Sequence, residues 1–220
     1  NERSVIAHCI FLDHHPWLHW TSRKDLELLA DCESTVAHCP TVFSRRCIAL
    51  NTFGTYLDHG IRMSVGTDTY PHNMLDECRT AVMVARVIGQ SVTDLDCIDV
   101  FNAATVAGAD ALNRSDIGRL AVGCKADFST IDLTSPSMRP VREPLRSLIT
   151  VAGSRPVTDV FVHGEQVVSN GDVLNIDFEL ELTRLQVAQQ NMLNVVSEKD
   201  WDNRSAVELA PLMLTTVESI

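Results

Sequence analysis

The 220-residue chain carries 29 acidic against 18 basic side chains, a formal net charge of −11. With no cluster of Lys and Arg it lacks the electrostatic footprint of a nucleic-acid binder. No apolar run approaches the roughly 18 to 20 residues that span a bilayer, and the opening NERSVIAHC lacks the layout of a signal peptide, so the sequence reads as soluble and cytoplasmic with no membrane partner.

In chain order, SVIAHCI (4–10) is a buried-strand candidate. Ser22 with Asp25 resembles a capping box opening a helix through LELLADC. STVAHCP (34–40) is the next strand, and Asn51 is the expected cap of TFGTYLDH, which Gly60 stops. IRMSVGTD (61–68) is the third strand, followed by a helix over about 74–89. A single helical run is expected over 94–112. The texture then changes: 117–133, 145–153 and 157–174 alternate apolar and polar residues and read as strands, with Gly164-Glu165 at a hairpin turn. Ser129 and Thr130 stand where apolar residues are expected. From Asp177 to Trp201 the leucines and valines return to helical spacing, as for an amphipathic helix on the body or at a subunit contact.

Short apolar runs alternating with amphipathic segments are the pattern of strand–helix units in a parallel sheet or barrel. His8, His38 and Asp68 follow one another at intervals of 30 residues, each at the C-terminal end of its strand. In a (β/α) barrel that end is the catalytic face, so the three would converge on one pocket. Tyr70 and His72 follow Asp68 in the same loop. Asn73 is the expected cap of the next helix. Seven cysteines without a CxxC pair suggest neither a disulfide framework nor a thiolate zinc site, and are expected as buried, reduced thiols.

IAHCIFLD, TVAHCP, VGTDTYPHNMLDECRTA and FNAATVAGADALNRSDIGRLAVGCKADFSTIDL, in that order, resemble the C-terminal half of the amidohydrolase superfamily, in its cytosine deaminase, guanine deaminase and triazine hydrolase branch. The most specific piece is A-T-x-x-G-A-x-A-L followed by I-G-x-L-x-x-G-x-x-A-D. The resemblance implies an α/β fold: the C-terminal part of a (β/α)8 TIM-like metallo-hydrolase barrel, with about the last three units in 1–112, a small β subdomain in 113–175 and a C-terminal helical segment in 176–220. It implies one divalent metal, zinc or iron, in the complete enzyme, with Asp68 matching the eighth-strand aspartate ligand. His8 resembles the sixth-strand histidine that faces water or substrate.

The family's H-x-H and H-x-x-E ligands have no counterpart in this chain, which also has no initiator Met and starts almost in a strand, so it is expected to be a fragment, inactive alone. Asp68 and His8 are the expected catalytic residues. His38, Arg45, Tyr70 and His72 are the expected substrate contacts, although HCP also suits a turn, arginines are more often solvated, and His72 could merely lead into a helix. His14, His15 and His19 are expected to cover a barrel edge or meet the absent half. The substrate would be a small nitrogen heterocycle, and a homodimer is plausible. The alternative is a non-catalytic half-barrel that self-associates through open strand edges.

Overall fold

The structure is a computed structural model describing residues 3–70, 72–153 and 156–214. Asn1–Gly171 and Asp172–Ile220 are separate compact units.

In the first unit, β1 (Val5–Ala7), β2 (Thr35–His38) and β3 (Arg62–Val65) form a parallel sheet in the order β1-β2-β3, with Ala7 opposite Ala37 and His38 opposite Val65. Parallel neighbours require crossovers. These are α1 (Asp25–Asp31) between β1 and β2, and α2 (Pro40–Ser44) with α3 (Phe53–Asp58) between β2 and β3. Helix α4 (Met74–Gly89) follows β3 and buries Cys78, Ala81, Val82 and Ala85, the i, i+3, i+4, i+7 face of an amphipathic helix. Val36 and Met63 of the sheet join Phe53, Tyr56, Val82, Leu95, Val100 and Ile149 in one core. Three parallel strands with their helices are the partial (β/α) barrel expected. Among the described residues no helix is long and apolar enough to cross a membrane.

Local chemistry differs from expectation at several points. Asp13, rather than a capping box, takes up Ser22: its carboxylate accepts from the Ser22 hydroxyl and, at 2.6 Å, from Lys24 N–H. Asp25 in turn accepts from Asp13 N–H at 2.8 Å. Helix α3 is capped by Thr52, whose hydroxyl accepts from Thr55 N–H, and not by Asn51. The expected single helix over 94–112 is two, α5 (Cys97–Ala104) and α6 (Val106–Ala111), broken at Thr105 with φ −126° and ψ −87°. All seven cysteines are free, but Cys32 and Cys47 are exposed.

The largest correction is 145–153. This segment is not a strand but helix α7 (Pro144–Val151), with Pro144 in its first turn and Ile149 fully buried. Proline is favoured at a helix start, where its missing N–H costs nothing. Arg79 of α4 holds the C-terminal end of α7, donating to the carbonyls of Ile149 at 3.1 Å and Ala152 at 2.7 Å.

Of the expected strand over 117–133 only β4 (Phe128–Ile131) forms. It pairs antiparallel with β5 (Val157–Val162), which pairs with β6 (Glu165–Ser169). The β5–β6 hairpin turns at His163-Gly164, one residue earlier than expected, with φ of 53° and 82° at the two positions. Phe128 and Phe161 stack at 4.5 Å. Thr130, unexpectedly polar, belongs to a side-chain network: its hydroxyl donates to Asp159 at 2.9 Å, and Asp159 accepts from Gln166 at 3.0 Å.

The two halves of the A-T-x-x-G-A…I-G signature meet at Gly118. With φ of +74°, a side chain there would lie 2.7 Å from Ala109 Cβ and 2.8 Å from the Thr105 carbonyl. Only glycine allows that approach.

In the second unit a two-residue strand, β7 (Asp172–Val173), precedes α8 (Phe178–Lys199), which Asp177 caps by accepting from Leu180 N–H at 3.0 Å. None of its residues is buried. Asp200 pairs with Arg204 at 2.9 and 3.0 Å, the Arg204 guanidinium lies over Trp201, and a Ser205–Glu208 capping box opens α9 (Ala206–Leu209).

Candidate functional site

The C-terminal ends of β1 and β3 deliver two side chains in the same manner. His8 N–H continues the β1–β2 ladder, donating to Ala37 O at 2.8 Å, and Cys9 N–H then donates back to Ala7 O at 2.8 Å. His8 is thus the apex of a three-residue turn, with φ 68°. After β3, Gly66 N–H donates to His38 O at 2.9 Å, and Thr69 N–H donates to Thr67 O at 2.7 Å around Asp68, whose φ is 58°. Turns of this size with a left-handed apex are uncommon and strained. Both strained apices project toward each other: His8 Nε2 lies 3.8 Å from Asp68 Oδ2, each side chain about one-third exposed. The other ring nitrogen of His8 is buried without a hydrogen-bond partner, and Phe43 packs edge-on to the ring at 4.6 Å.

His38, the last residue of β2, is 3% exposed. Burial, and then the neighbouring His8, hold its pKa down to about 4, so it is neutral at pH 7. Its Nδ1 has no partner and its ring meets Phe53 edge-on at 5.8 Å. It is buried at its own strand end, whereas the side chains of His8 and Asp68 are about one-third exposed.

The loop after Asp68 is tied at both sides. His72 Nδ1 and Thr67 Oγ1 are 3.1 Å apart. Arg45 donates through Nη1 to Tyr70 O at 3.0 Å, with its guanidinium carbon 5.2 Å from the Tyr70 ring centre. Tyr70 is 74% exposed, and Pro71 lies outside the described residues. Asn73 caps α4 as expected, accepting from Leu75 and Asp76 N–H. Of the loop histidines, His15 is buried and packs with Phe11 and Trp17, both exposed.

Two supporting residues escaped the sequence reading. Glu77, 1% exposed in the first turn of α4, accepts from Thr41 N–H at 3.0 Å at the head of α2. Burial raises its pKa above the ordinary glutamate value. A glutamate beside the Cys78, Ala81, Val82 face was the available signal. Tyr56, wholly buried, donates to Cys9 O at 2.6 Å and so holds the turn that presents His8. Between the sites, burial and the carboxylates of Asp68 and Glu77 push the Cys39 thiol up to about 11, which leaves it protonated and unreactive.

Among the described residues no group of three or more His, Cys, Asp and Glu could hold a metal ion. Asp68 alone does not make a zinc site, which takes about three protein ligands. A trough of about 820 Å³, lined by Leu75, Cys78, Phe101, Ile117, Phe128 and Ile149 among others, is mostly apolar, and neither His8 nor Asp68 lines it.

The chain is similar to known proteins. A 5-methylthioadenosine/S-adenosylhomocysteine deaminase of Pyrococcus horikoshii is 31% identical over 183 residues, 81% of this chain and 41% of that protein. One of Pelotomaculum thermopropionicum is 29% identical over 194 residues, 86% of this chain and 43% of that protein. Among solved structures, a zinc-bound adenosine deaminase from Xanthomonas campestris superposes with a TM-score of 0.79 at 26% identity, covering 89% of this chain and 44% of that one. A variant of an atrazine chlorohydrolase from Arthrobacter aurescens, complexed with zinc and atraton, shares the fold with a TM-score of 0.75 at 24% identity, over 85% of this chain and 41% of its own. The chain thus spans about two-fifths of the relatives it matches. The model of the amidohydrolase family matches residues 1–167, and the chain belongs to that family.

Proposed function

We propose that this chain forms part of a metal-dependent aminohydrolase of the deaminase type, which replaces an amino or similar leaving group on a ring carbon of a nitrogen heterocycle with hydroxyl. The carrying observation is the pair of strained turns that bring His8 and Asp68 to 3.8 Å. Strain held at the ends of two strands of one sheet, β1 and β3, supports a functional reading. The deaminase relatives support the reaction class.

Three strands do not close a barrel, and Asp68 does not complete a metal site. The reading therefore requires further strands and ligands from polypeptide outside these 220 residues, with Asp68 as one ligand of a zinc or iron ion in the completed site. The residues present have defined tasks. The Asp68 carboxylate takes the proton of an attacking water and passes it to the departing amine, as a general base and then a general acid. His8 donates a hydrogen bond to charge developing beside the attacked carbon. Tyr70 and His72 form the rim on the substrate side.

The test is to read the coding sequence upstream of Asn1 for in-frame H-x-H and H-x-x-E strands, then to assay the resulting protein for bound metal and for ammonia release from purines, pyrimidines and triazines. An upstream stop codon, or no ammonia from any of them, sinks the proposal. The rival, a non-catalytic self-associating half-barrel, draws on the β1 edge, where Val5 is 46% and Ile6 36% exposed. It predicts concentration-dependent dimers of this chain in sedimentation, with no turnover in any context.

A further inference from the structure

The Asp68 turn is strained, and something must hold it. We propose that Arg45 is the positioning residue that latches the loop carrying Asp68. This deepens the aminohydrolase reading and rests on it. One guanidinium engages Tyr70 twice, by a 3.0 Å hydrogen bond to its carbonyl and by lying 5.2 Å from its ring centre. Arginine's planar fork can bond in its plane and stack on its face at once, whereas a lysine ammonium is a point charge.

The latch has a fixed base. Arg45 is the C-cap of α2, whose Pro40 and Val42 are buried. The head of α2 is tied to α4 by the Thr41–Glu77 bond of 3.0 Å. Asn73 caps the same helix α4 at the far end of the Asp68 loop. Helix α2, Arg45, Tyr70, the chain on to Asn73, α4 and Glu77 therefore form a closed circuit, and Asp68 lies two residues before the point where Arg45 grips it. Arg45 commits its Nη1 donor and one face of its guanidinium to Tyr70, and in this proposal it acts through the loop that carries Asp68.

The experiment compares wild type, Arg45→Lys, Arg45→Ala and the control Tyr70→Phe in the full-length protein, by hydrogen exchange and by steady-state kinetics. Removing a net hydrogen bond worth about 1 kcal/mol raises local opening by about fivefold, so Arg45→Ala speeds exchange over 67–73 by at least that factor, and Arg45→Lys restores little of it. Exchange in β1 to β3 stays unchanged. Displacement of a reacting group costs about 10- to 100-fold in kcat with KM within about twofold, and Tyr70→Phe, which keeps the ring and carbonyl, leaves exchange over 67–73 at the wild-type rate.

Unchanged exchange over 67–73 in Arg45→Ala overturns the latch. So does a raised KM at constant kcat, the sign of direct substrate contact. If Arg45→Ala does not fold, the Arg45→Lys exchange profile decides the matter by the same criterion. If wild type itself releases no ammonia, the aminohydrolase reading fails, and the exchange comparison still returns its own answer on the latch.

Discussion

Replacing Tyr56 by Phe isolates the support beneath His8. The ring is wholly buried and its hydroxyl donates to Cys9 O at 2.6 Å, within the turn where Cys9 itself has φ 47°. Phenylalanine keeps the ring and its edge contact with His14 at 6.1 Å, so the apolar burial is unchanged and the hydrophobic contribution cancels. What remains is the cost of leaving a carbonyl without its partner, about 1–3 kcal/mol. With a urea dependence of about 2 kcal/mol per molar, a loss of 2 kcal/mol lowers the unfolding midpoint by about 1 M at unchanged slope. In the full-length protein the variant also loses more turnover than Val82→Ala, a core truncation remote from the turn. A midpoint equal to or above wild type, or turnover no lower than that of Val82→Ala, refutes the reasoning.

The buried His38, held neutral down to a pKa of about 4, makes the fold acid-sensitive. Below the unfolded value of 6.5 the unfolded chain binds a proton the folded one refuses, so stability falls between pH 6.5 and 4, by about 3 kcal/mol in all. His38→Gln flattens that slope in urea titrations at pH 7 and 4.5. Gly54→Ala puts a methyl 2.3 Å from the Asp94 carbonyl and destabilises by about 1–3 kcal/mol, read as a lower melting temperature. Asn73→Ala removes the α4 cap and costs about 1 kcal/mol in the same assay. Asp68→Asn, which retains a side chain tolerant of left-handed backbone, leaves the melting temperature nearly unchanged and lowers ammonia release by about 100-fold or more in the full-length protein.

The three strand–helix units were legible because short apolar runs and a 3.6-residue stripe are local signals, and α4 has the expected bounds of 74–89. The meeting of His8 and Asp68 was legible for the same reason, since parallel register carries equal intervals to one sheet end. Helix α7 was not. Its β-branched residues and rough alternation read as a strand, whereas Pro144 and the long-range grip of Arg79 on Ile149 and Ala152 decide for a helix. The expected capping box failed because Asp13, 9 residues from Ser22, competed for the hydroxyl. Glu77 and Tyr56 escaped notice because their partners, Thr41 and Cys9, lie 36 and 47 residues away.

The left-handed turns at His8 and Asp68 also limit how this site can change over generations. A backbone near φ 60° admits glycine, asparagine, aspartate and, less readily, histidine, while β-branched side chains are strongly disfavoured. Glutamate, chemically the nearest neighbour of aspartate, meets both a longer reach and a less tolerant backbone at position 68. Drift away from catalysis therefore passes through asparagine or glycine, which silence the carboxylate while leaving the turn intact. A lineage that lost the activity would carry its mark as Asn or Gly at this one strand end, inside an otherwise unaltered loop.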